Sequence, residues 1–293
     1  MKKLSIFFLV ATLAGFSACS DNEGDTTPVT GIALDVPDLG LQAGQEYTLT
    51  ATVLPDNASD KTVRWTSSDE SKATVVNGKV TVTMSEEDVT TFEYVTITAT
   101  AGNKADTCNL VIFPIPVPDN SNDTEVVING VTWATRNVDE PGTFAATPDA
   151  PGKLYQWNRK KAWNATGKVS GWDDTEATGS TWESSNDPSP EGWRVPTKAE
   201  LETLLDETKV INVWTFNGRI FIDKSTTQNL FLPAVGYRYA TSVYDANKDG
   251  EYWSNTTNDT YACRLRYDSS GIVLFTFGRR VQAISIRSVK KEI

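Results

Sequence analysis

Val63-Arg64-Trp65-Thr66-Ser67-Ser68-Asp69-Glu70-Ser71-Lys72-Ala73-Thr74-Val75 sets a tryptophan, a Ser-Ser-Asp turn and an Ala-Thr-Val strand in direct succession. Short strands broken by polar turns extend from it in both directions. Upstream, Gln45-Glu46-Tyr47-Thr48-Leu49-Thr50-Ala51-Thr52-Val53 alternates Tyr, Leu, Ala and Val with polar neighbours, so one face turns inward and the other meets water. Downstream, Asn77-Gly78 lies between Val75-Val76 and Val80, a hairpin signal because a two-residue turn needs positive φ. Glu93-Tyr94-Val95-Thr96-Ile97-Thr98-Ala99-Thr100 alternates again, with Tyr94 or Val95 setting the register. From residue 30 to residue 113, turn residues recur every ~8–12 positions with little helical periodicity, which is the pattern of a β-sandwich.

The same residues are similar to the bacterial Ig-like group 2 domain over residues 29–113, although the Gly that commonly opens the Thr-Ile-Thr-Ala-Thr strand is missing and residues 85–92 form an insertion. The resemblance implies an Ig-like sandwich with Trp65 as its core tryptophan, in a family that serves mostly as surface spacers and sometimes as adhesion modules.

The N-terminus carries the address. Lys2 and Lys3 precede an apolar run over residues 4–14 that is too short to span a bilayer, and small residues lead into Cys19. This is a secretory signal over residues 1–18. Leu13-Ala14-Gly15-Phe16-Ser17-Ala18-Cys19 resembles a bacterial lipobox, loosened at Phe16 and Ser17. The resemblance implies a lipid on Cys19 and anchorage in a membrane; the alternative is an exported soluble protein with a chance cysteine. Residues 19–28 form an acidic tether, and Ser20-Asp21-Asn22-Glu23-Gly24-Asp25 resembles the signal by which Bacteroidetes-type bacteria send lipoproteins to the outer face. The expected location is the outer membrane or cell surface. A plain solvated tether fits the same charge run.

Composition excludes several functions. Removing Lys2 and Lys3 with the signal leaves 25 basic residues against 38 acidic ones, a net charge of −13, and the basic residues cluster only as Arg159-Lys160-Lys161, Arg279-Arg280 and Lys290-Lys291. Nucleic acid is therefore not an expected partner. The chain contains no histidine, which removes Ser-His-Asp and Cys-His catalysis and His-ligated metals. Beyond Cys19 there are only Cys108 and Cys263, in different candidate domains, read as buried small hydrophobes. Between those domains, Pro114-Ile115-Pro116-Val117-Pro118 and a polar run to residue 124 form a linker whose proline part extends at about 3.1 Å per residue. It is expected to hold the second domain away from the first.

Residues 125–293 hold eight of the nine tryptophans, most of which must be core. One helix is expected, from the Thr197-x-x-Glu200 capping box through Leu201, Leu204 and Leu205 to about Glu207; the rest reads as strands and long loops. Val131-Thr132-Trp133-Ala134-Thr135-Arg136-Asn137-Val138, Leu154-Tyr155-Gln156-Trp157, Gly192-Trp193-Arg194-Val195-Pro196-Thr197, Leu232-Pro233-Ala234-Val235-Gly236-Tyr237-Arg238 and Glu251-Tyr252-Trp253-Ser254 resemble the Fibrobacter succinogenes major paralogous domain. The Gly-Trp-Arg-Val-Pro-Thr segment is also similar to the C-type-lectin-like superfamily. The resemblance implies an irregular α+β domain, and so a mainly β chain in which an Ig-like sandwich is joined by a Pro-rich linker to a C-type-lectin-like unit. Relatives usually carry Cys where this chain has Ser189 and Ser288. If those form a disulfide, the two serines should face each other here, with Cα atoms about 4.4–6.8 Å apart. Neither the thiol pair of formylglycine-generating relatives nor the Glu-Pro-Asn or Gln-Pro-Asp tripeptides of calcium-dependent lectins occurs.

Three sets of residues are candidates for a site. Trp163, Trp172 and Trp182 lie in a polar stretch over residues 159–185, where exposed indoles would stack on sugar rings or anchor a protein; buried, they would be satellite core. Asp245, Asn247 and Asp249 have the spacing of a calcium loop, but the twelfth position is Thr256. A polar hairpin turn is the other reading. Among Asp173, Asp174, Glu176, Glu200 and Asp206 a hydrolase would need two carboxylates about 5–9 Å apart, which nothing in the spacing demands. No enzyme activity and no cofactor are expected. The leading expectation is a lipid-anchored surface protein presenting a lectin-like module to an extracellular glycan or protein, in adhesion or capture. A structural fimbrial or envelope component without a ligand is the alternative.

Overall fold

The computed structural model describes residues 26–113, 125–258, 260–270 and 273–291. Cys19, the signal, most of the acidic tether and the linker 114–124 lie outside the described residues. Among those described, no helix is long and apolar enough to cross a membrane.

The N-terminal domain is built from β1 (Gly31–Leu34), β2 (Asp38–Leu41), β3 (Glu46–Thr48), β4 (Ala51–Leu54), β5 (Arg64–Ser67), β6 (Ala73–Val76), β7 (Lys79–Val82), β8 (Glu93–Ala101) and β9 (Lys104–Ile112). One layer runs β5-β8-β9-β2, facing β3-β7-β6 and the pair β1-β4. Val95, Ile97 and Ala99 of β8 point inward while Tyr94 is exposed, so Val95 sets the register. The β6–β7 hairpin closes on Asn77-Gly78, both at positive φ. The run 45–53 is not one strand. At Leu49 and Thr50 the chain crosses between sheets: Leu49 N–H donates to Gly78 C=O and Thr50 N–H to the Asp35 carboxylate, and β3 then pairs with β7 while β4 pairs with β1. Trp65 is half-buried against the core rather than at its centre. Cys108 is fully buried, and burial pushes its thiol up to about 12.

The second domain comprises β10 (Glu125–Ile128), β11 (Val131–Ala134), β12 (Lys153–Gln156), β13 (Ala162–Asn164), β14 (Trp193–Arg194), α1 (Lys198–Thr203), β15 (Val210–Thr215), β16 (Gly218–Asp223), β17 (Asn229–Pro233), β18 (Tyr237–Tyr239), β19 (Ser242–Tyr244), β20 (Asp249–Asn258), β21 (Tyr261–Asp268), β22 (Val273–Arg279), β23 (Ala283–Ile284) and β24 (Val289–Lys290). It is mainly β. Helix α1 has the expected capping box, with Thr197 Oγ1 accepting from Glu200 N–H and the Glu200 carboxylate accepting from Thr197 N–H. It ends at residue 203, short of the expected 207, and Leu204 and Leu205 still pack inward from the turn that follows.

The two domains are not held apart. Edge strand β2 pairs in parallel with β15, Leu39 opposite Trp214, and this joins both domains in one seven-stranded sheet of order β17-β16-β15-β2-β9-β8-β5. An exposed sheet edge is a row of unpaired donors and acceptors; here the other domain covers it. Val111 and Phe113 from the first domain pack with Val213, Ile220 and Ile222 from the second, and burying each such side chain is worth about 1.5–3 kcal/mol. Gly40 makes the approach possible, because a Cβ there would stand 2.5 Å from Val213 Cγ2. A proline-rich connecting sequence does not by itself decide docking, which rests on an edge strand and an apolar strip that composition does not reveal.

Candidate functional site

Docking creates a cleft of about 560 Å³ between the domains, walled by Gln42, Gln45 and Phe113 on one side and by residues of β15–β17 and the 245–247 turn on the other. That volume is within the usual range of about 300–1,000 Å³ for small-molecule sites. Gln45 Oε1 accepts from Gln42 N–H at 2.8 Å, which fixes that side chain beside the cleft. Asp149 is the one ionisable residue in the lining.

At the mouth stands Phe216, 48% exposed with φ 45°. Thr215 pairs with Gly218, so Phe216 and Asn217 are the two central residues of the β15–β16 turn. Positive φ at the first central position is normally given to glycine, and a bulky residue held there costs about 1–3 kcal/mol. The neighbouring glycine is committed elsewhere. A Cβ on Gly218 would lie 2.4 Å from Leu232 C=O and 2.6 Å from the Phe231 ring, so Gly218 belongs in the strand and the turn falls one residue earlier. The Asn217-Gly218 dipeptide signals a turn in the sequence; it does not signal that the turn starts at Phe216.

The three tryptophans do not form one exposed platform. Trp163 and Trp182 are buried, 3% and 8% exposed, and Trp172 is half-buried. Trp163 packs on Trp172 with centroids 4.8 Å apart and donates its indole N–H to Gln156 Oε1, and Trp182 packs edge-on to Trp157 and donates to Asn186 C=O. The polar stretch around them stays largely exposed while its tryptophans turn inward, and arginines bond its carbonyls where it lies against the domain. Arg238 Nε and Nη2 donate to Asn164, Thr166 and Gly167, and Arg280 Nη1 donates to Ala177 and Gly179. Arg280, one of the sequence-adjacent basic pair Arg279-Arg280, is buried over the Trp157 ring.

The calcium spacing is used otherwise. The Asp249 carboxylate is paired with Arg266, Asp245 and Asn247 sit at positive φ in an exposed turn, and Thr256 Oγ1 accepts from Lys198 N–H at the start of α1. Among the described residues no group of three His, Cys, Asp or Glu stands close enough to hold a metal. Asn247 instead lines the cleft.

Four of the five carboxylates set down for hydrolysis have local partners of their own, and the fifth, Asp174, is exposed. Thr175, together with Arg159, holds Asp173 below the ordinary carboxylate range. Glu176 accepts from Val281 N–H and pairs with Arg279, and Asp174 is exposed. Glu200 is partly buried, which opposes its charge, yet Arg194 and the helix cap hold it low. Hydrogen bonds from Thr208 hold Asp206 low. Outside every candidate site set stands Glu251, 2% exposed between Arg264 and Arg266; burial pushes its carboxyl up to about 7 against the pull of both guanidiniums.

Comparison with known proteins assigns the first domain. Residues 28–111 match the bacterial Ig-like domain (group 2) family. The chain is also similar to an uncharacterised protein of Clostridium acetobutylicum, 31% identical over 171 residues covering 50% of this chain and 18% of that protein. An Ig-like virion protein of Serratia phage KSP90 is 37% identical over 90 residues, covering 29% of this chain and 31% of the phage protein. The chain thus spans less than a third of the length of either curated relative. The cleft wall formed by Gln42, Gln45 and Phe113 therefore lies on or beside the Ig-like domain.

Ser288 and Ser189 meet: their hydroxyls hydrogen-bond at 2.8 Å. The two side chains face each other as the resemblance implied, and the hydrogen bond ties the residue before β24 to the 187–190 segment.

Proposed function

We propose that this protein is a lipid-anchored, surface-displayed binding protein, in which the Ig-like domain and the lectin-like second domain act as one unit to capture an extracellular glycan or protein. The carrying observation is the cleft walled by both domains at the shared sheet. The lipobox-like segment ending at Cys19, the acidic residues after it, the resemblance of residues 125–293 to lectin-like domains and the Ig-like match all support display outside the cell. Binding rather than catalysis fits a lining with one ionisable residue.

Two measurements test this reading. Mass spectrometry of the native protein should find Cys19 acylated, and protease added to intact cells should remove the chain; an unmodified thiol or a protected chain would end the proposal. A structural role is the second reading, favoured by the outer edge of β22, which ends its sheet and carries the half-exposed Phe277.

A further inference from the structure

We infer that the interdomain cleft binds an uncharged oligosaccharide, with Phe216 as the face on which one sugar ring stacks. This rests on the capture reading above and names its ligand.

Three features of the cleft select that chemistry. No lysine or arginine lines it and Asp149 is its one ionisable group, so nothing there recognises a carboxylate, sulfate or phosphate. Gln42, Gln45, Asn217 and Asn247 line it from three separate segments, and a side-chain amide can both donate and accept, which is what a ring of hydroxyls requires. Beside these amides Phe216 supplies an exposed apolar plane, the complement of the C–H face of a sugar. A hydrophobic small molecule would leave the amides unpaired at a cost of about 1–3 kcal/mol each where they are desolvated.

The backbone at Phe216 makes the case specific to that residue. Positive φ there is a conformation that glycine adopts freely and phenylalanine does not, so the fold carries a local strain that a glycine would relieve. Keeping an aromatic at this position costs stability and leaves the ring half in water. A ligand-facing role accounts for both. The cleft also exists only in the docked pair, since Gln42 and Gln45 reach it from the strand β2–β3 connection and Asn217 and Asn247 from the other domain. Any ligand held there therefore stabilises docking as well.

The test uses the full chain on an array of neutral, sialylated and sulfated glycans, alongside Phe216→Gly and Gln45→Ala. The expected result is binding to one or more neutral glycans, reduced about tenfold or more by F216G while its thermal midpoint is unchanged or raised. Q45A should weaken the same glycans without changing surface exposure. Neutral glycans bound equally by all three proteins would overturn the cleft assignment and leave surface capture standing. Binding restricted to sialylated or sulfated glycans, or to a protein ligand alone, would overturn the ligand class. No glycan bound at all, on a protein shown to be acylated and exposed, would likewise overturn it.

Discussion

Among the described residues, every fully buried polar or charged side chain lies in the second domain, and the buried core of the Ig-like domain is aliphatic apart from Phe113 and Cys108. The Ig-like half is held by hairpins close in sequence, with turns such as Asn77-Gly78 satisfying their own geometry. In the second half Arg219, Arg238, Arg280 and Arg287 are buried, bonded largely to carbonyls tens of residues away, and Trp157 and Trp253 donate to Ser254 and Tyr155 C=O. A long loop can enter a core only if its backbone acceptors find donors, and guanidiniums supply several at once. The difference teaches that a polar and largely exposed loop can still bury its tryptophans when donors of this reach hold its backbone.

The junction between the halves gives the largest expected effect. Gly40→Val forces side-chain atoms into Val213 and should undock the domains, turning a single unfolding transition into two and abolishing the cleft; calorimetry of the full chain reads it, and a single unshifted transition would show that the shared sheet contributes no coupling. Next, Ser189→Cys with Ser288→Cys should oxidise to a disulfide across a loop of about 100 residues and raise stability by up to about 4–5 kcal/mol, measured by urea unfolding with and without reductant. Failure to oxidise would mean that the two backbones stand too far apart.

Arg287→Met should cost about 3 kcal/mol, because Asn137 Oδ1 and Ala134 C=O lose their buried donor. A loss under about 1 kcal/mol by the same urea titration would deny that arginines serve this domain as aliphatic residues serve the other. The smallest effect is a pH dependence. Glu251 binds its proton more tightly folded, at about 7, than at its ordinary 4.5, so its contribution to stability grows as pH falls from 7 toward 4.5 and is then constant. Asp223 runs the other way: although its burial opposes charge, hydrogen bonds from Ser225, Asn129 and Thr226 hold it at about 2, and its contribution is lost as pH falls from 3.8 toward 2. Thermal midpoints across this range should therefore peak near pH 4–5 in these two contributions, and Glu251→Gln should flatten the upper limb. An unchanged upper limb would remove Glu251 as its source.

The strands of the Ig-like half, the Asn77-Gly78 hairpin and the Thr197 capping box were legible because each signal is local, a matter of alternation or of spacing by two or three residues. The burial of Trp163 and Trp182 was not legible, since it depends on Arg238 and Arg280 reaching the loop from far along the chain. The docking of β2 on β15 has no local mark either, because Gly40 looks like any strand glycine until Val213 is opposite it. Phe216 lay hidden behind a correct turn signal placed one residue late.

The paired strands β2 and β15 also have a mechanical meaning. Were something gripped in the cleft to be pulled away from the N-terminus, the load would run through adjoining β-ladders and the packed strip around Phe113. Loaded along that path, the junction would behave as a breakable link between the two halves.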